Sequence, residues 1–289
     1  MTGIVLALFS GFFFSIADAF RKHLSLSTDS VTINFWLNLL QLPILVLLIL
    51  FLNDPQFEFN LEAGYWFTAL PSILANIAAN YLFFRSLSIS SMGLSIPYLS
   101  FTPVFTVIWG SLFLNELPTL AGMLGILLIL APALILPSVE QGKGLRFSSP
   151  HKGSLFMIAV AFFWSVAIVS DKMAIQNSNV ASHIFILSVS ATGFFMLVML
   201  GQRIKYKRAE KAASKVVFLL ATVLLLFALG LQFFALDYIQ AAYVEAIKRG
   251  TSPLLSILWG YLFFKESAPG KKLLLGLVMS VGVLILVLT

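Results

Sequence analysis

FTPVFTVIWGSLFLNE (101–116) and TSPLLSILWGYLFFKE (251–266) are one stretch written twice, 150 positions apart. Pro103, Trp109, Gly110, Leu112, Phe113 and Glu116 meet Pro253, Trp259, Gly260, Leu262, Phe263 and Glu266, while Thr102 and Thr106 meet Ser252 and Ser256. At the same offset Phe12, Phe13, Ser15, Ala17 and Lys22 meet Phe162, Phe163, Ser165, Ala167 and Lys172. One inserted residue then moves the register to 151 and pairs Pro118 with Pro269. An apolar composition yields scattered Leu matches by chance; it does not hold Pro, Trp and Glu in one register. The chain is therefore read as a duplication, 1–150 and 151–289.

The composition says what was duplicated. Of 289 residues, 60% are hydrophobic and 10% charged, and the mean hydropathy is +0.99. A soluble domain carries about 25% charged residues, so a water-soluble globule is excluded. Apolar runs fall at 3–20, 31–52, 64–86, 91–114, 118–138, 153–172, 182–201, 216–236, 241–264 and 271–289. Each approaches the roughly 20 residues needed to cross a bilayer. Polar turns such as Asn53-Asp54-Pro55 and Ser267-Ala268-Pro269-Gly270 separate them. No Lys or Arg precedes Arg21, so the first run is expected to persist as a span and not as a cleaved signal. The expected fold is all-α and integral to the membrane, with ten transmembrane helices as two five-helix repeats. Five is odd, so the second repeat enters from the opposite side and the repeats are inverted. That is the architecture of a secondary transporter whose halves rock about a central site.

Fifteen Lys/Arg lie in the loops after spans 1, 3, 5, 7 and 9, against one in the loops after spans 2, 4, 6 and 8. The positive-inside rule then puts the first set of loops in the cytoplasm and both termini outside, as in a bacterial inner-membrane protein. The net charge of +6 is assigned to topology and anionic lipid, not to nucleic acid. The expected partners are the lipid bilayer and a small-molecule substrate. There is no Cys, which excludes disulfides and thiolate sites. No glycine-rich phosphate loop, nucleophile elbow or pair of catalytic carboxylates is present. His183, at the outer end of span 7, has no metal-ligand partner at suitable spacing. No enzyme, metal or cofactor is expected.

With these motifs in view, the chain resembles the drug/metabolite transporter superfamily, in its EamA type. The likeness lies in the paired five-helix units and in the two Thr/Ser-Pro to Glu segments. It implies spans 1, 3, 4, 6, 8 and 9 around a central cavity, with spans 5 and 10 peripheral.

Tyr243-Val244-Glu245-Ala246-Ile247-Lys248-Arg249-Gly250-Thr251-Ser252-Pro253 is the most informative stretch for chemistry. A span starting after Arg249 would leave only Gly250–Phe264, about 22 Å at 1.5 Å per residue, short of the roughly 30 Å core. Lys248 and Arg249 are therefore expected deep in span 9. Each costs about 2.5–3.5 kcal/mol at a helix centre and should face a wet cavity or a partner. An Arg fork and a Lys point charge suit an anion. Glu245, at i−3 and i−4, offers the competing reading, a structural pair that still leaves one positive charge over. By resemblance, the Lys-Arg pair is similar to that of the sugar-phosphate and nucleotide-sugar branches, which implies a phosphate or other anionic group; carboxylates and zwitterions stay open. Pro97, Pro103 and Pro253 are expected to distort spans 4 and 9.

Asn76, Asn80 and Tyr81 in span 3, and Tyr98, the repeat counterpart of Lys248, are candidates for the pocket wall. Trp164, matching Phe14, reads as wall or core. Asn34, Asn38 and Gln41 read as helix–helix glue. Asp18, Arg85, Glu116 and Glu266 are expected at helix ends or gates. The sequence thus points to a secondary active transporter of a small anionic organic metabolite, a phosphate or carboxylate, by alternating access. The alternatives are a proton-coupled exporter of amino acids or of hydrophobic and cationic compounds, with Glu245 as the proton-linked group, and a channel or membrane sensor.

Overall fold

The computed structural model describes residues 1–51, 58–147, 152–201, 212–264 and 270–288. Among these there is no strand. The chain runs α1 (Thr2–Ser25), α2 (Ser30–Phe51) and α3 (Tyr65–Ile89), then breaks its fourth span into α4 (Met92–Ser95), a 3-10 segment (Ile96–Phe101) and α5 (Thr102–Phe113). It continues with α6 (Leu120–Glu140), α7 (Lys152–Gln176), α8 (Val180–Gly201), α9 (Ala212–Leu236), α10 (Ala241–Phe264) and α11 (Gly270–Leu288). Eight of the described segments are long and apolar enough to cross a membrane, and Leu274–Leu286 adds a shorter apolar stretch.

Every apolar run became helical, but helix ends and hydropathy ends differ where charge turns inward. Span 1 was expected to end at residue 20; α1 continues to Ser25 because Asp18, Arg21 and Lys22 are buried within the bundle. A run of hydropathy marks contact with lipid, whereas a helix stops only when its backbone loses partners.

The predicted distortion of span 4 is visible. Pro97 opens the 3-10 segment and Pro103 lies in the first turn of α5. Each lacks the N–H that a continuous helix would need. The second copy behaves differently, since α10 runs as a single α-helix across Pro253.

The halves interlock. The most extensive packing joins α3 with α7, α1 with α9, α6 with α11, α1 with α10 and α2 with α8. The repeat exchanges the α3–α7 and α1–α9 pairs and maps the α2–α8 and α6–α11 pairs onto themselves, as a two-fold axis between inverted halves requires. Close approach rests on small residues, the usual device where lipid removes the hydrophobic drive between helices. At α6–α11, a Cβ on Gly125 would stand 2.9 Å from the Gly282 carbonyl oxygen. Large apolar side chains such as Phe67, Leu124 and Leu197 face outward.

Candidate functional site

Seven helices, α1, α2, α3, α7, α8, α9 and α10, enclose a central cavity of about 110 Å³. Drug-sized pockets run to about 300–1,000 Å³, so this form suits a compact solute. The lining differs from the expectation for the helices themselves. Spans 2 and 7 contribute through α2 and α8, and the broken span 4 contributes no lining residue. Spans 5 and 10, α6 and α11, also stay off the cavity, as expected.

Lys248 and Arg249 are the eighth and ninth residues of α10 and are each 4% exposed. Both line the cavity with Glu245. Helical spacing places Glu245 on their face, but the two cations differ in their commitments. Lys248 Nζ donates to Glu245 Oε1 and to Gln232 Oε1 of α9, with its ammonium 4.8 Å from the Phe14 ring centre. Arg249 Nε stands 3.3 Å from Glu245 Oε2 without a hydrogen bond. Its guanidinium lies 5.2 Å over the Trp164 ring. Among the described residues Glu245 is the one ion-pair partner of Arg249, through Nε, and no hydrogen bond to another helix engages its fork, which lines the cavity.

A second cation, Arg21, also stands near Trp164. Arg21 NH1 donates to Asp18 Oδ1 at 3.0 Å, NH2 donates to Asn80 Oδ1 at 3.2 Å, and the guanidinium lies 3.9 Å over Phe83 and 6.0 Å from Trp164. Phe14 and Trp164 both line the cavity, so the wall reading of this repeat-related pair holds geometrically.

Asn76 and Asn80 line the cavity one turn apart on α3. Asn76 Nδ2 donates to Ser72 Oγ at 3.2 Å, and Asn80 Nδ2 to the Asn76 carbonyl at 2.9 Å. Asn34, Asn38 and Gln41 line it as well, contrary to a purely structural reading. Gln41 does both, accepting from Ser188 Oγ of α8 at 3.0 Å.

Several expectations fail on geometry. Tyr81 is 42% exposed, turned about 100° around α3 from its neighbour Asn80, and does not line the cavity. Tyr98 is buried in the 3-10 segment and does not line it either. The unwound span 4 no longer holds the register that would set Tyr98 opposite Lys248. Asp18 is not at a helix end; it is 3% exposed within α1 and lines the cavity. Arg85 is exposed in the last turns of α3. Glu116, just beyond α5, receives the Lys172 ammonium at 2.5 Å on Oε1 and the Ala241 amide at 2.9 Å on Oε2. It thus closes an ion pair with α7 and caps the positive end of α10. Its counterpart Glu266 lies outside the described residues.

The sequence reading missed Asp171. It lines the cavity from α7, accepting from Ser72 and meeting His183 Nε2 at 2.9 Å. His183, expected to stand alone, also meets the Tyr65 hydroxyl through Nδ1 at 2.9 Å. The cavity therefore holds three carboxylates, Asp18, Asp171 and Glu245, against three cations, Arg21, Lys248 and Arg249. The single positive charge left over on α10 is balanced in the cavity as a whole. One signal was available: Asp171 is the 150-offset counterpart of Arg21. No cluster of metal-ligating side chains occurs among the described residues.

A bundle of interlocked inverted repeats around a charged interior cavity defines a multi-pass membrane carrier of solutes. The chain belongs to the EamA-like transporter family, whose model matches residues 1–136 and 151–289. Members of that family are transporters, not enzymes. No curated protein matches the chain in sequence. A solved crystal structure of a protein superposes with a TM-score of 0.74, covering 99% of this chain and 96% of that one at 14% identity. That likeness is one of fold.

Proposed function

We propose that this protein is a secondary active transporter that moves a small anionic organic metabolite, an organic phosphate or a carboxylate, by alternating access. The observation that carries the reading is Arg249: a guanidinium 4% exposed on the cavity wall, which shares the one carboxylate of Glu245 with Lys248 and makes no hydrogen bond to another helix among the described residues. A planar fork of this kind binds carboxylate or phosphate in two parallel hydrogen bonds. Lys248 is held by Glu245 and Gln232 and acts as the balancing charge, while Asn76 and Asn80 supply neutral hydrogen-bonding groups on the cavity wall. The domains 1–150 and 151–289 are the two halves that would rock about this site, with basic loops in the cytoplasm, both termini outside, and the chain in a bacterial inner membrane.

The test is uptake of radiolabelled glycerol 3-phosphate, succinate and inorganic phosphate into proteoliposomes. Arg249→Gln should lose at least tenfold in apparent affinity for whichever anion the wild type accepts, since a charge-assisted pair contributes about 1.5–3 kcal/mol. Unchanged uptake in Arg249→Gln removes the reading. Saturation and stimulation by internal substrate separate a carrier from a channel or sensor.

One observation favours a second reading. Asp171, on the cavity wall, offers an acceptor for an ammonium group. A zwitterion such as an amino acid would use both poles, and competition by amino acids, but not by simple anions, would select that exporter reading.

A further inference from the structure

We propose that Asp171 and His183 together bind the proton whose movement drives transport. The inference rests on the anion-carrier reading and adds its coupling ion and the residues that hold it.

The three carboxylates of the cavity are not equivalent. Asp18 is paired with Arg21 at 3.0 Å, and Glu245 lies between Lys248 and Arg249. Each of these two carboxylates is already engaged by a cation in an ion pair. Among the described residues Asp171 has no Lys or Arg within ion-pair distance. The adjacent Lys172 directs its ammonium to Glu116 and to the Ile239 carbonyl. The partners of Asp171 are the Ser72 hydroxyl and His183, and His is the side chain whose ordinary titration falls between pH 5 and 8.

The geometry around His183 serves both protonation states. With His183 neutral, Nε2–H donates to Asp171 and Nδ1 accepts from the Tyr65 hydroxyl. With an added proton, Nδ1–H donates to the Tyr65 oxygen, and no heavy atom needs to move. The groups packed around His183 are Tyr65 of α3, Asp171 of α7 and the Phe233 ring of α9, 5.5 Å away. No second charged side chain among the described residues contacts it. Asp171 reaches the cavity; His183 and Tyr65 lie behind it, 0% exposed, beneath the 58–64 segment that precedes α3.

Proton arrival has a definite sign. Without it the cavity holds three negative and three positive groups. With it the cavity carries one positive charge in excess, and an anion at Arg249 is bound more tightly. By reciprocity the anion then raises the affinity for the proton, so the two move in the same direction. Ser72 links Asp171 to the cavity wall, donating to Asp171 while accepting from Asn76.

The experiment needs no known substrate. Full-length protein labelled with isotopic histidine is placed in lipid nanodiscs and titrated by NMR. The chain has three His, and His183→Gln assigns the signal. The His183 resonance should titrate, and its midpoint should fall in Asp171→Asn and be restored in Asp171→Glu. A resonance constant from pH 4.5 to 9, or an unmoved midpoint in Asp171→Asn, overturns the proton site. In proteoliposomes under an inward acid gradient, wild type should concentrate an accepted anion and Asp171→Asn should only equilibrate it; concentrative uptake by Asp171→Asn overturns the coupling role. Titration with no loss of transport in Arg249→Gln would instead refute the anion site and leave the proton site standing.

Discussion

Trp164 shows how single side chains set the character of the cavity. Its ring is approached by two guanidinium groups, Arg249 at 5.2 Å and Arg21 at 6.0 Å. An aromatic face holds a cation without neutralising it, so Trp164 positions Arg249 while leaving its hydrogen-bond donors to a ligand. Trp164→Leu should therefore weaken the apparent affinity for the accepted anion about tenfold, within the 0.5–2 kcal/mol that such contacts contribute, with Trp164→Phe between the two. Concentration-dependent uptake measures it. An unchanged affinity in Trp164→Leu would show that Arg249 is oriented by Glu245 alone.

At the scale of elements, the seams between helices are fixed by glycine, and two seams should respond differently. On α1, a Cβ at Gly11 would meet Thr251 Oγ1 and stand 3.3 Å from the Lys248 Cα, a backbone atom that cannot rotate away. Gly11→Leu should displace α10 together with Glu245, Lys248 and Arg249, reducing stability by about 1–3 kcal/mol and transport with it. At the α6–α11 seam, a Cβ on Gly125 would stand 2.9 Å from the Gly282 carbonyl oxygen, and neither helix lines the cavity. Gly125→Leu should lower the thermal midpoint in detergent by a comparable amount, while protein that remains folded keeps its affinity for the anion. Thermal unfolding and uptake, measured on the same preparations, separate the two effects. The elements also differ in symmetry: Pro97 and Pro103 break span 4, whereas α10 stays whole across Pro253. The continuous helix carries the charged face, and the broken one carries none of the cavity.

Across the whole molecule, the Glu116–Lys172 pair ties the first half to the second beside the start of α10. Both side chains are about 15% exposed, so the pair is only partly shielded and contributes about 1 kcal/mol, or about fivefold in a two-state population. Glu116→Gln should open that end of the bundle. Because the native chain has no Cys, a single Ile168→Cys on the cavity wall reports the change, and its reaction with an impermeant maleimide added outside should quicken about fivefold. The same approach fixes orientation. Glu62→Cys should label from outside intact cells and Gln141→Cys only after the membrane is opened, as the positive-inside bias requires; the reverse pattern would invert every statement about sidedness.

The duplication, the ten helical runs and the depth of Lys248 and Arg249 were legible in the sequence because each follows from local quantities. A repeat is visible as register, a span as hydropathy over about 20 residues, and depth as distance along one helix. The residues opposite one another were not legible, because that depends on how the inverted halves interlock. Asp171 and His183 stand 12 positions apart in sequence and meet only when α7 and α8 pack side by side. Tyr98 left the cavity because the chain unwound around it, and Asp18 entered because α1 continued past its apolar run. Sequence alone determined that this chain crosses the membrane as an inverted pair carrying two cations at depth. The tertiary packing decided how those cations are held, since Gln232 of α9 reaches Lys248 while, among the described residues, Arg249 meets only the Trp164 ring of α7 and the Glu245 it shares on its own helix.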